Sequence, residues 1–386
     1  MNGRFFLTSA AVILAATSLA GAATLTVPGQ FPTIQSAIQA ARPGDTVLVA
    51  DGVYTGLGNK DLDFSGKAIT VMSANGPENC IIDCQATPQN PFRGVQFVSG
   101  ETAASVLDGF TITNGATLPG AIADVFNGAA ILLTGSSPTI RNCIMTDNHA
   151  GCWGGAVCCT NSSPTIINCT ISDNFSDDDG GGIFIWSNSH PTIVNTVITD
   201  NSTTVAGGGV AFFGGTGATL NGCTIAGNDA SFAGGIWASG ATLTNCIVWG
   251  NGPNPMGGSG SIVSYSNIEG GYAGIGNINV DPLFVDAASG DYHLAAGSPC
   301  LDAGDPAFFP VLSSFDMDGH HRIMGVDVDM GADEVHSPDV DGSGAVNGID
   351  LGSLLAQWGT AGIADLNADG TINGIDLGIL LANWTM

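Results

Sequence analysis

Basic residues are what this chain most lacks: seven Lys and Arg stand against 34 Asp and Glu in 386 residues, a formal net charge of −27. Phosphate binding needs clustered Lys and Arg, so nucleic acid is excluded as a main partner. A surface this acidic also repels polyanionic ligands unless cations bridge them. Enzymes that use Arg or Lys as a base are poorly supplied, since beyond Arg4 and Arg42 only Lys60, Lys67, Arg93, Arg141 and Arg322 remain. Long apolar runs are missing as well. No stretch after residue 22 approaches the roughly 18 uninterrupted apolar residues of a membrane span. There is no Gly-Lys-Ser/Thr phosphate loop, no His-Glu-x-x-His zinc helix and no Gly-x-Ser-x-Gly nucleophile turn.

Residues 1–22 are different. Arg4, the run FFLTSAAVILAATSLA and then Ala20-Gly21-Ala22 have the order of a secretory signal with a small-residue cleavage site. The expected mature chain is exported and carries no membrane span. Glycine, 57 of 386 residues, is about twice the usual 7% or so, which means many turns. Ten cysteines in an exported chain raise the question of disulfides.

From Gly128 the chain repeats itself: GAAILLTGSSPTIRNCIMTDN, GGAVCCTNSSPTIINCTISDN, GGIFIWSNSHPTIVNTVITDN, GGVAFFGGTGATLNGCTIAGN, GGIWASGATLTNCIVWGN. The equivalents Asn142, Asn168, Asn195, Gly222 and Asn245 are 26, 27, 27 and 23 apart, the spacing of a solenoid. Each unit holds short β-branched runs broken by Gly, Asn, Ser or Pro and leaves no room for a helix. This predicts a mainly β fold, a right-handed parallel β-helix, with equivalent residues stacked about 4.8 Å apart. Ile140, Ile166, Ile193, Leu220 and Leu243 form one inward column, and Met145, Ile171, Ile198, Ile225 and Val248 another. Cys143, Cys169, Thr196, Cys223 and Cys246 form a third, where thiols act as small apolar groups rather than metal or redox groups. Asn142, Asn168, Asn195 and Asn245 are expected to form a hydrogen-bonded ladder at a turn. In PTIQSAIQAA, Ile34, Ile38 and Ala41 share the face of a short helix suited to cap the open end.

FPTIQSAIQAARPGDTVLVADGVYTG, VLDGFTITNG, GSPCLDAGDP and VDMGADE resemble secreted right-handed parallel β-helix proteins, related in fold to pectate lyases and polygalacturonases. The resemblance runs from about 24 to 335 and implies the fold; the stretch 252–335 resembles the family's closing segment.

Three features could carry chemistry. Asp147, Asp173 and Asp200 are column mates, followed by Asp177, Asp178 and Asp179, with His149 and His190 close in the repeat. Carboxylates stacked at coil spacing favour protonation of one, which suits an acid and base pair for glycoside hydrolysis; alternatively they are turn residues bonding to backbone amides. In the strand after each Gly pair both parities are apolar: Ala156, Ile183, Val210, Ile236 with Cys158, Ile185, Phe212, and against them Val157, Phe184, Trp237 with Cys159, Trp186, Phe213. One set must face outward. The expected strip of Phe184, Trp186, Phe213 and Trp237 could stack on sugar rings or be covered by protein. Finally, FDMDGHHRIMGVDVDMGADE gathers Asp316, Asp318, His320, His321 and Asp327, either a metal site or cap structure.

The C-terminus carries two copies of a calcium-loop pattern, DVDGSGAVNGID and DLNADGTINGID. Oxygens fall at positions 1, 3, 5, 7, 9 and 12 with Gly at 6, as a hard cation requires. The ligands are Asp339, Asp341, Ser343, the Ala345 carbonyl, Asn347 and Asp350, then Asp365, Asn367, Asp369, the Thr371 carbonyl, Asn373 and Asp376, for two Ca2+ ions. Gly344 and Gly370 supply the turns. Each loop precedes one amphipathic helix, with Leu351, Leu354, Leu355, Trp358 and Leu377, Leu380, Leu381, Trp384 at helical spacing, and Val346 and Ile372 are expected to pair and join the loops. This tandem of loop then helix resembles the type I dockerin module, which implies a cohesin-like partner protein. It departs from that family at loop positions 10 and 11, where Gly348-Ile349 and Gly374-Ile375 replace a Ser-Thr-like pair.

The expected organisation is a signal over 1–22, a β-helix over 23–335 with helical cap and closing segment, and a dockerin-like calcium module over 336–386. The expected function is to bind or cleave extracellular polysaccharide, by glycoside hydrolysis rather than by a lyase route if there is turnover. The alternative is a non-catalytic surface or matrix protein.

Overall fold

The computed structural model describes residues 21–120, 127–214, 217–295, 297–305, 307, 315–319, 322, 327–335, 338–340, 343, 345–360, 362, 364–366 and 371–385. Most of the expected export signal lies outside them, as do Asp341, Gly344, Asn367, Asp369 and Gly370 of the calcium loops, and His320 and His321.

Short strands wind into coils whose equivalents stack into three parallel sheets of ten, eight and nine strands. One coil shows why. Ile183–Trp186 lies in the eight-stranded second sheet, Thr192–Val194 in the ten-stranded first sheet and Val197–Thr199 in the nine-stranded third. Between the last two stands Asn195 at φ +46°. Its equivalents Asn142, Asn168 and Asn245 also have positive φ, 52°, 50° and 55°, a left-handed conformation that Asn tolerates because its short amide bonds locally. Asn is there to bend the chain. In the first sheet Ile140, Ile166, Ile193, Leu220 and Leu243 pair in register and are fully buried. Each such side chain contributes roughly 1.5–3 kcal/mol of burial. A one-residue slip would turn Arg141 and the threonines inward, so the column fixes the register.

The ladder expected at those bending asparagines is elsewhere. Asn142 donates to Asp108 and Asn195 to the carbonyl of Phe315, whereas the coil-to-coil chain is Asn148, Asn174, Asn201, Asn228 and Asn251. Each Nδ2 donates to the next Oδ1, at 3.0, 2.9, 2.9 and 2.9 Å. All five are buried, and each also donates to strand carbonyls. Asn174→Ala would strand the carbonyls of Met145 and Ser172. At about 1–3 kcal/mol for each buried group left unpaired, we expect a loss of about 2–6 kcal/mol in urea unfolding; no loss would show that the ladder is ornamental.

In the second sheet the expected faces need one correction. Val157 pairs with Ile183 and Cys159 with Ile185, both inward, while Cys158 pairs with Phe184 and faces out. The repeat is anchored by three small residues, Gly154-Gly155-Ala156 and Gly180-Gly181-Gly182, and counting from a Gly pair misplaces that coil by one. At Gly155 a Cβ would lie 2.0 Å from the Gly181 carbonyl oxygen, so the coils stack backbone on backbone here.

All ten cysteines are buried and none is in a disulfide. Burial pushes the Cys169 and Cys246 thiols well above their ordinary value, so the stacked thiols fill space. Helix α1, Ile34–Ala40, buries Ile34, Ala37 and Ile38 over the first coil, with Thr33 and Ser36 forming a capping box. At the other end, Leu294, Cys300 and Met330 of the closing segment pack on Ile247 of the third sheet. The C-terminal module has its own core, Val340, Val346, Leu354, Ala364, Leu366, Ile372 and Leu380, around α2 (Gly348–Ala356) and α3 (Gly374–Ala382). Val346 and Ile372 do not pair with each other as expected. The Val346 carbonyl accepts from Thr385 N, and that of Ile372 from Gly359 N, so each loop is tied to the residue just past the other copy's helix and Trp.

Candidate functional site

The outer face of the third sheet carries the residues that could act on a ligand. Its outward side chains include Ile144, Thr146, Thr170 and Ser172, flanked by the bending Asn142 and Asn168. An open groove of about 220 Å³ runs here, bounded by Glu78 on one side and by Asp316, Asp318 and Gly319 of the closing segment on the other. Among the described residues its lining offers two amides, the Thr170 hydroxyl and three carboxylates beside the apolar Pro77, Ile144 and Met317, and no Lys or Arg.

Asp147, Asp173 and Asp200 stand at the far ends of these strands, all at φ +56° and all exposed. They bend the chain as the asparagines do, which accounts for the column without any chemistry. Asp200 alone gains a partner from another segment: the Tyr292 hydroxyl donates to its carboxylate at 3.1–3.2 Å. Partial burial raises the Asp200 pKa, against the lowering effect of Tyr292, and Asp173 in the neighbouring coil raises it further. Burial likewise raises the Tyr292 hydroxyl, aided by Asp200.

Tyr292 belongs to an antiparallel hairpin, Phe284–Asp286 with Asp291–Leu294. Alternation along Asp-Tyr-His-Leu buries Tyr292 and Leu294 and leaves His293 half-exposed. His293 Nδ1 meets Asp291 at 2.5 Å and Nε2 meets Asp318 at 2.8 Å. Asp318, chiefly, and Asp291 push its pKa up to about 10 against desolvation. Sequence reading singled out Asp318 but neither Tyr292 nor His293; the alternation of DYHL was the available signal. Asp327 instead donates its backbone N–H to Asp302. His149 and His190 are not brought together: His149 lies 3.0 Å from Asp177, and His190 Nδ1 accepts from Gly217 N.

Phe184, Trp186, Phe213 and Trp237 form an outward strip on the second sheet, but they are stacked on one another. Trp153, which sequence reading missed, lies over the small Cys158 and Thr160 and stacks on Phe184 and Trp186 at 4.7 and 5.3 Å, nearly parallel to both. Phe213 follows at 5.7 Å from Phe184, and Trp237 at 6.4 Å from Phe213. Ring faces spent on each other leave edges for a ligand, and Phe184 is fully buried. Trp153 covers Phe184, while Trp186 keeps 39% of its surface exposed.

The basic residues are engaged elsewhere. Lys60 donates to the Cys84 carbonyl and sits over Phe92, Lys67 caps the C-terminal carbonyls of α1, Arg93 donates to the Asn127 carbonyl and Arg141 pairs with Asp108. Arg322 is buried in the closing segment.

In the two repeated C-terminal loops, Asn347 and Asn373 cap α2 and α3, and Asp350 and Asp376 complete the capping boxes from full burial. No Lys or Arg follows Arg322 in the chain. An all-oxygen donor set with buried acids fits a hard cation.

The chain is a β-helix protein by architecture. The family of the right handed beta helix region matches residues 105–267, which fixes the hand of the coil. Among solved structures the chain is similar to a pectin methylesterase from carrot, with 14% identity over 67% of this chain and 84% of that one and a TM-score of 0.41. It is also similar to the pectate lyase Pel9A, with 14% identity over 82% and 97% and a TM-score of 0.38. Similarity at this level carries no argument about chemistry. No curated protein matches the chain. No helix among the described residues is long and apolar enough to cross a membrane.

Proposed function

We propose that this is an exported β-helix protein that binds extended, neutral polysaccharide in the third-sheet groove and is attached to a cohesin-like partner through a calcium-loaded dockerin-like module. The groove carries the reading: an open channel of amides, carboxylates, one hydroxyl and apolar Pro77, Ile144 and Met317, without a basic residue among the described ones, suits uncharged sugar chains and disfavours pectin-like polyanions. The signal-like N-terminus and the paired calcium loops support export and attachment.

Hydrolysis at the same face is favoured by one observation, the raised Asp200 beside Asp173. Coil spacing of about 4.8 Å is close to the roughly 5–5.5 Å separation of a retaining carboxyl pair. Asp200 would then donate the proton and Asp173 attack the sugar. The test incubates the mature protein on neutral and acidic polysaccharides, following retention, reducing ends and ultraviolet absorbance from unsaturated ends. Thr170→Trp, which fills the groove floor, should abolish retention; unchanged retention would overturn the groove assignment. Reducing ends without ultraviolet signal that fall about 10²–10⁴-fold in Asp200→Asn would establish the hydrolase, and retention without products would establish a binding protein.

A further inference from the structure

The closing segment brings together His293, Asp318 and Asp333, with one ligand atom from each lying within 4.8 Å of the others. They come from three stretches: the hairpin, the turn that borders the groove and the buried run over 327–335. From this geometry we infer a binding site for a divalent transition-metal ion, Zn2+ in class, with one imidazole and two carboxylate ligands and a remaining position open to water or ligand.

Three observations lead there. First, His293 is oriented as metal-bound imidazoles are. Asp291 holds Nδ1 from the far side while Nε2 points at the Asp318 carboxylate, 2.8 Å away. A carboxylate behind a histidine fixes its tautomer and ring angle and strengthens the nitrogen aimed at the metal. Second, Asp333 is 4% exposed, and one of its oxygens is fixed by the Leu294 backbone N–H at 2.8 Å. A carboxylate so buried and held is already placed as a ligand. Third, the charges do not balance. Among the described residues four carboxylates, those of Asp291, Asp316, Asp318 and Asp333, stand near one imidazole and the buried Arg322, whose guanidinium donates to the Asp333 carbonyl, so acids outnumber cations and a divalent ion adds charge of the missing sign.

Nitrogen with carboxylate oxygen suits Zn2+ better than Ca2+, which takes six to eight oxygens, so this site is distinct in kind from the C-terminal loops. Three protein ligands with an open position are the arrangement of reactive rather than purely structural zinc. Asp318 also borders the groove. Metal here would pin the hairpin to the groove wall, and the inference stands whether or not the groove takes polysaccharide.

The test uses the untagged mature chain with its loops saturated in Ca2+. Dialysis against micromolar free Zn2+ and elemental analysis should find one Zn2+ per chain. His293→Ala and Asp318→Asn should each lower affinity at least 100-fold, Asp291→Asn by about 10–100-fold through the oriented imidazole, and His149→Ala should change nothing. His293 and Asp318 are 40% and 36% exposed, and circular dichroism confirms that the variants keep the β-helix. Absence of retained Zn2+ in the unaltered protein overturns the inference without any variant. So does retention that survives both His293→Ala and Asp318→Asn.

Discussion

Arg322→Gln should destabilise the closing segment by about 3–5 kcal/mol, the cost of removing one member of a buried ionic group. Arg322 is 1% exposed; its guanidinium donates to the carbonyls of Asp329, Gly331 and Asp333, and Nε lies 4.0 Å from Glu334. Around it Asp316, Asp329, Asp333 and Glu334 are all buried. The break in the Asn column lies beside this arginine: a Cβ at Gly222 would come 2.6 Å from Asn195 Oδ1 and 3.2 Å from Arg322 Nη2, so a side chain there would crowd both. Arg141→Gln is the control. Its Asp108 pair is shorter, 2.8 Å, but the arginine is 47% exposed, and such pairs contribute about 0–1 kcal/mol. The deficit in Arg322→Gln should depend on pH. Burial raises Asp329 to about 7 although Arg322 lowers it. A carboxyl raised above its unfolded value of about 3.9 contributes stability that is fully present below that value and is lost as pH rises through the folded one. Without Arg322 the folded value rises further, so the variant's deficit is constant below about pH 7 and grows as the pH rises above it. Urea unfolding followed by hydrogen exchange of residues 298–335 would measure it. A deficit independent of pH would mean that the arginine acts only through its three carbonyls.

The coil was legible because its period is carried by many weak signals that agree. Ile140, Ile166, Ile193, Leu220 and Leu243 each cost little to predict, and together they left one register. Errors arose where a residue's type fits two jobs. Asn142 and Asn148 both recur with the coil, and only backbone angles tell the bending asparagine from the ladder asparagine, which sits beside an aspartate that also bends. Phe184 and Trp186 were correctly placed outward, but Trp153 comes from a loop outside the strand pattern, so its stacking over Cys158 had no periodic trace. The groove was invisible for a further reason. Its second wall is the turn around Asp318, more than a hundred residues from Asn168, and nothing local encodes that meeting. The same applies to Tyr292 and Asp200, 92 residues apart.

Chelating calcium should unfold the C-terminal module and leave the β-helix intact. The module's apolar core is small, and some apolar surface is not in it: Ile349, Leu355, Trp358, Ile375, Leu381 and Trp384 are exposed. Ordering each residue costs backbone entropy, so the described core leaves the module marginal by itself. Asp350 and Asp376 add to the difficulty, being fully buried in a segment without Lys or Arg. A cation bound there as proposed would stabilise the module by about 2.7 kcal/mol at a hundredfold excess over its Kd and by about 4.1 at a thousandfold. Because α2 and α3 have nine residues each and α1 only seven, most of the helical dichroism reports on the module. Addition of chelator should therefore remove most of the 222 nm signal and shift the emission of Trp358 and Trp384, while the β-helix transition stays where it was. Asp376→Asn should need at least tenfold more calcium to refold than the unaltered chain, since loop position 12 carries a ligand charge that Asn lacks. The crossed ties of Thr385 to Val346 and Gly359 to Ile372 make the two loops one folding unit, so losing either ion should unfold both helices together. Two separate calcium transitions, or a helical signal indifferent to chelator, would show that the module folds on its apolar core alone.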